Sequence, residues 1–132
     1  MTDFSDELGS SLPRGTLQVT VFIPTVDRVG NSIDQKYWRE ATLELLGTLF
    51  RGATAFPPGR GVWRDDARGG ALVYDDTVLV TSYAGPAAPN QKAQMAIRRF
   101  LHRLGREANQ GEVGIVIGGN YYGVQDYDPE EE

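Results

Sequence analysis

Six side chains suited to ligand recognition crowd into FRGATAFPPGRGVWRDD, residues 50–66: Arg51, Arg60, Trp63, Arg64, Asp65 and Asp66. Glycines let backbone N–H groups approach an anion closely, and a guanidinium grips two oxygens at once. A small anionic ligand fits that chemistry. The same residue types also serve a plain structural connection, in which the prolines stiffen the chain and Trp63 packs. Neither G-x-x-x-x-G-K-[ST] nor G-x-G-x-x-G is present, so no phosphate fingerprint sharpens the choice.

A second polar group, GREANQGE at 105–112, places Glu107, Asn109, Gln110 and Glu112 at a helix-to-strand junction. Asn and Gln there can fix a ligand's orientation or satisfy loose backbone groups at the helix end. A third lies on the helix expected over Gln91–Arg106. Lys92, Arg98, Arg99, Arg103 and Arg106 share one arc with His102. That arc is a solvated face, or a docking surface for an acidic partner, a phosphate backbone or the protein's own acidic tail. His102, the only histidine, falls among arginines on this exposed arc with no carboxylate near it in sequence, a poor setting for a general base.

Zero cysteines and a single histidine leave carboxylates as the only metal ligands, and Asp65-Asp66 and Asp75-Asp76 lack calcium-loop spacing. G-x-S-x-G is absent as well. Tyr121, Tyr122 and Tyr127 could stack on rings, although edge-strand packing accounts for them equally.

The elements that must position these groups follow from periodicity. TLQVTVFI, residues 16–23, puts Leu17, Val19, Val21 and Ile23 on one face and Thr20 and Phe22 on the other, the period of a half-buried strand. Ser32 and Gln35 form an S-x-x-Q capping box, and Ile33, Tyr37, Trp38, Ala41, Leu45, Leu46 and Leu49 recur as the stripe of a helix on a sheet, with Gly52 as its end cap. ATAFPPGRG reads as an irregular loop, GVWRDD as a short strand and ALVYDDTVLVTSY as a long one that Asp75-Asp76 should bend or bulge. After the loop GPAAPN, with Asn90 as N-cap, comes the basic helix, then the strand EVGIVI and a hairpin through Gly119-Asn120.

This β-α-β-β-α-β order predicts an α+β fold: a ferredoxin-like sandwich, a four-stranded antiparallel sheet with two helices on one face and an extra C-terminal hairpin strand. The other face has no cover of its own. It should carry Thr20 and Phe22 with part of the set Trp63, Leu79, Thr81 and Tyr83, a surface of the kind closed by a second subunit or a ligand.

At 132 residues, 40% hydrophobic and 23% charged, the chain is one soluble domain, and no apolar run is long enough to cross a membrane. The acidic start carries no secretory signal, so the cytoplasm is the expected compartment. Of 18 acids and 13 bases, eight acids and one base sit in residues 1–14 and 125–132, leaving twelve bases against ten acids between them. The organisation expected is a flexible acidic tail over 1–14, a single domain over 15–124 and a second acidic tail over 125–132. Eleven of the 13 bases are arginine, which favours bidentate contacts but also follows from GC-rich codon usage.

VTVFI, Trp38, FRGAT, FPPGRGVW and the closing helix with its strand resemble a group of small bacterial ferredoxin-like proteins without assigned function, over roughly residues 16–118. More distantly the chain is similar to dimeric α+β barrels, which include cofactor-independent monooxygenases and binding proteins. The resemblance implies dimerisation through the open sheet face and transfers no catalytic residue.

The function expected is a dimerising, non-catalytic binding module without cofactor or metal, taking a protein partner or small anionic ligand. Ligand contacts fall to Arg51, Arg60, Trp63, Arg64, Glu107, Asn109 and Gln110, and partner contacts to Phe22, Tyr83, Arg99 and Arg103. One alternative is a small cofactor-independent enzyme with its pocket at the 50–66 loop, Arg60 or Arg64 holding an anion and Asp65, Glu107 or His102 moving protons. Another is an accessory subunit of a nucleic-acid-acting or defence complex, although the acidic tails disfavour tight nucleic-acid binding.

Overall fold

The computed structural model describes residues 4–85 and 89–130. Along the chain run α1 (Ser5–Leu8), β1 (Leu17–Ile23), α2 (Gln35–Phe50), β2 (Thr54–Ala55), β3 (Gly59–Asp65), β4 (Ala71–Ala84), α3 (Gln91–Glu107), β5 (Val113–Ile117) and β6 (Asn120–Val124). All strands join one antiparallel sheet in the order β2-β4-β1-β5-β6, with β3 also on β4. The α+β class read from the sequence stands. The sheet has six strands rather than four plus a hairpin strand.

The period of two in β1 sends Val19, Val21 and Ile23 under the helices, where they are fully buried with Val78 and Val80 of β4. Trp38 and Leu46 from α2 and Ile97, Phe100, Leu101 and Leu104 from α3 close over them. Burying each such side chain stabilises the fold by roughly 1.5–3 kcal/mol. Both long helices therefore lie on one face. The opposite face carries Gln18, Thr20 and Phe22 from β1 beside Tyr83, Thr81 and Leu79 from β4, as the alternation required.

Several local expectations change. Asp34, not Ser32, caps α2, its carboxylate accepting from the Tyr37 N–H. Gln35 instead donates its amide to the Ile23 and Asp76 carbonyls, tying α2 to the ends of two strands. Arg51, not Gly52, turns left-handed at the C-terminus of α2, with φ 74°. ATAFPPGRG is mostly strand: β2 and β3 form one edge of β4, interrupted at Pro57-Pro58. Ala55 faces Val80 and Gly59 faces Thr77, so four steps on this edge match three on β4, a one-residue bulge where proline cannot donate to the ladder. Asp75-Asp76 does not bulge β4, whose pairing with β3 runs one to one through both; it marks where the strand passes β1 and pairs with β3 alone. The final hairpin turns at Gly118-Gly119, Asn120 already pairing with Ile117. Asn90 caps α3 as expected, and much of GPAAPN lies outside the described residues.

Residues 126–128 lie against α3. Tyr127 seats its ring on Gly105, where a Cβ would come within 2.1 Å of it, and donates to the Gln110 carbonyl. Arg98 grips the Asp128 carboxylate with two bonds of 2.9 and 3.0 Å, Arg106 donates to its carbonyl, and its N–H donates to His102 Nδ1.

Candidate functional site

The uncovered face is where polar chemistry meets aromatic surface. At its centre Gln18 Nε2 donates to Thr81 Oγ1 at 3.2 Å, and the Thr20 and Thr81 hydroxyls pair at 3.0 Å. On one side Phe22 meets Tyr121 edge to face, ring centroids 6.0 Å apart. Two directly paired glycines, Gly114 on β5 and Gly123 on β6, leave a flat window there. The Tyr121 ring lies over Gly114 and the Glu112 carboxylate over Gly123, each closer than any Cβ would tolerate.

Across that window Tyr121 Oη donates to Glu112 Oε2 at 2.6 Å, and Gln125 Nε2 donates to Oε1 at 2.9 Å. Burial first, then the hydrogen bond and charge of Glu112, push the phenol above its usual ionisation range. The pair is thus a phenol donor fixed on a carboxylate, both exposed to the face. Beyond the end of β1, Asp75 accepts from the backbone N–H and hydroxyl of Thr25. The arrangement offers a carboxylate, hydroxyls and aromatic edges to a polar, cationic or ring-bearing molecule.

The ligand residues read from the sequence do not gather into one pocket. Arg60, Trp63 and Arg64 stand on the β3–β4 arm that projects past β1. Arg60 stacks on Tyr74 at 4.5 Å, Arg64 is bound to Asp66 at 2.6 Å, and Trp63 faces Val73 with its ring half exposed. Arg51 is an exposed helix end. Glu107 pairs with Arg103 at 3.5 Å, and Asn109 turns the chain at φ 49° beside Asp27. Gln110 is buried and donates to the Val26 and Ala108 carbonyls, so its amide joins loops rather than holding a ligand. Within the loop at which the enzyme alternative expected a pocket, Gly59–Asp65 pair with β4 as a two-stranded arm.

Of the partner residues, Phe22 and Tyr83 do lie on the uncovered face. Arg99 is exposed on α3, while Arg103 stacks on Trp38 at 4.7 Å and donates to Tyr37 Oη. His102 is 5% exposed rather than on the surface, because the C-terminal segment covers it. The sequence reading named Glu112 and Tyr121 but did not join them. The usable signal was the pair of glycines one hairpin apart, Gly114 and Gly123, with Tyr121 offset to reach across.

Among the described residues no three His, Asp or Glu side chains gather as a metal site, and no helix is long and apolar enough to cross a membrane.

Fold and site together define an α+β protein with a helix-backed antiparallel sheet and an open, tyrosine–carboxylate-bearing face. The chain is similar in fold to a solved phage SAM lyase in complex with S-methyl-5′-thioadenosine, with a TM-score of 0.65 and 15% identity over 89% of this chain and 95% of that one. The apo phage SAM lyase gives a TM-score of 0.61 and 16% identity over 92% and 98%. The sequence matches no family model and none of the curated proteins compared with it. The expectation of a non-catalytic binding module is overturned here, since the solved structures that share this architecture are of an enzyme.

Proposed function

We propose that the protein is a cofactor-independent, cytoplasmic enzyme that cleaves a sulfonium nucleoside of the S-adenosylmethionine class on the open face of its sheet. The observation that carries this reading is the fold shared with the phage SAM lyase over nearly the whole of both chains. The surface chemistry agrees. A sulfonium cation is favoured beside aromatic faces and a carboxylate, which Phe22, Tyr121 and Glu112 supply together. Gln18, Thr20 and Thr81 offer donors and acceptors to ribose hydroxyls. As the carbon–sulfur bond breaks, an oxygen of the substrate's own carboxylate bonds to the carbon that carried sulfur, the bonding pair goes to sulfur and discharges the cation, and the step needs no protonation of the leaving group and no oxidant. The core is read as a ferredoxin-like sandwich carrying added edge strands, and a second copy of the chain as the cover that closes the face.

Incubating the purified chain with S-adenosylmethionine should release S-methyl-5′-thioadenosine, followed by chromatography and mass spectrometry. Consumption of substrate with neither that product nor saturable binding of it would overturn the assignment, as would no consumption at all.

A further inference from the structure

The two edges of the sheet differ in kind. On one, Pro57-Pro58 separates β2 from β3 and cannot donate to a further strand, and β3 carries Arg60, Arg64 and Asp65. On the other, β6 reads NYYGV: no charge, no proline, and a one-to-one pairing with β5 that leaves no bulge. Residues 120–123 are exposed, and among the described residues β6 pairs with β5 alone. A bare edge of this kind is a template for another strand.

The hairpin fixes which groups that edge offers. Ile117 and Asn120 flank a two-residue turn and exchange both backbone hydrogen bonds, and the pattern alternates from there. Tyr122 therefore bonds inward to Ile115, while Tyr121 and Gly123 turn their N–H and C=O groups outward. The Tyr121 ring lies on the open face, against Phe22, and Tyr122 lies on the helical side, where it lines a groove with Met95 and Leu101.

We propose that β6 pairs with β6 of a second copy of the chain, antiparallel about a two-fold axis at Tyr122, so that two sheets become one. In this register Tyr121 of each copy stands opposite Gly123 of the other, and these outward-facing residues exchange both backbone bonds. The glycine leaves the opposing ring room and brings it beside Glu112, whose carboxylate lies over Gly123. The second copy thus adds a phenol to the carboxylate of the open face. No like charges meet, because the strand carries none, and that neutrality lets it face itself. The contact closes on itself, and the proline-broken opposite edge stops further growth. It rests on the edge strand and not on the enzymatic reading.

Tyr122 meets its own counterpart in this register, with Cα atoms about 4.5 Å apart, so a charge placed there tests it directly. Tyr122→Lys and Tyr122→Glu, at a half-exposed position, should each sediment at half the mass of the parent protein at micromolar concentration. An equimolar mixture of the two should regain the full mass, because lysine then faces glutamate. The chain has no cysteine, so Tyr122→Cys should cross-link to itself under mild oxidation many-fold faster than Val29→Cys, at an exposed loop position. A parent protein that sediments as one chain overturns the proposal. So do single variants that keep the parent's mass, a mixture that stays small, or equal cross-linking rates.

Discussion

The phenol of Tyr121 and the carboxylate of Glu112 act as one unit, because a 2.6 Å bond joins them and Gln125 fixes the second carboxylate oxygen. If that unit sits against the sulfonium, Tyr121→Phe removes a donor and leaves the carboxylate freer, whereas Glu112→Gln removes the charge facing the cation. Release of S-methyl-5′-thioadenosine should fall more than about tenfold in Glu112→Gln and less in Tyr121→Phe, since losing a charged contact costs more than losing a neutral one. Equal activity in all three proteins would remove the pair from the chemistry. The raised phenol has its own signature. A group that ionises later in the folded state adds stability that is whole below its ordinary value, near 10, and is lost as pH rises through the folded value. Ultraviolet titration should show a late-ionising component to which Tyr121 and Tyr127 both contribute, and Glu112→Gln should shrink it. Nothing in the order of residues announced this pair: its members lie nine positions apart and meet only because β5 and β6 fold back on each other. His102 escaped for a related reason, since a helical wheel shows which arc a side chain occupies but not which distant segment covers it.

Among the elements, α3 shows how packing overrules propensity. Gly105 sits inside the helix, where Ala would stabilise by about 1 kcal/mol on propensity alone. Here the added methyl would strike the Tyr127 ring, an overpacking cost of about 1–3 kcal/mol. Gly105→Ala should therefore lower the urea midpoint, and the sign should reverse in a Tyr127→Ala background; a stabilised single variant would mean that Tyr127 does not rest there. In α2, Leu46 is fully buried under the sheet, and Leu46→Ala should cost about 2–5 kcal/mol by the same measurement. A loss under 1 kcal/mol would place the core elsewhere. Elements of this kind were legible beforehand because a buried face writes its period into the sequence, as β1 and both long helices do. The Pro-Gly stretch was not, since an edge strand needs hydrogen bonds on one side only and tolerates prolines that would break a central one.

At the scale of the molecule, the residue types that announce catalysis in a sequence are nucleophiles and metal ligands, and under the proposed reading a substrate that carries its own charged leaving group asks for neither from the protein. The ends of the chain carry the other lesson: composition shows that the last residues are acidic, while the structure shows where one of those acids goes. Hydrogen bonds from Arg98 foremost, with His102 and Arg106 nearby, hold the Asp128 carboxyl below its ordinary range. A folded-state value below the unfolded one, about 3.9, gives stability that is present above that value and lost as pH falls through the lowered one. The segment over α3 should therefore stay closed through mildly acidic conditions and open only under stronger acid, uncovering His102 and Gly105 while the sheet remains intact. Protection of the Asp128 backbone N–H, corrected for its intrinsic exchange rate, reads this directly because that N–H is bonded to His102 Nδ1 at 2.7 Å. Protection should be high at pH 6 and fall in strong acid. Asp128→Asn should lower it at pH 6 and flatten its dependence on pH over the carboxylate range, because the group that titrates has gone. If the Asn variant keeps both the protection and its pH dependence, the Arg98–Asp128 pair is not what holds the C-terminal segment on the helix.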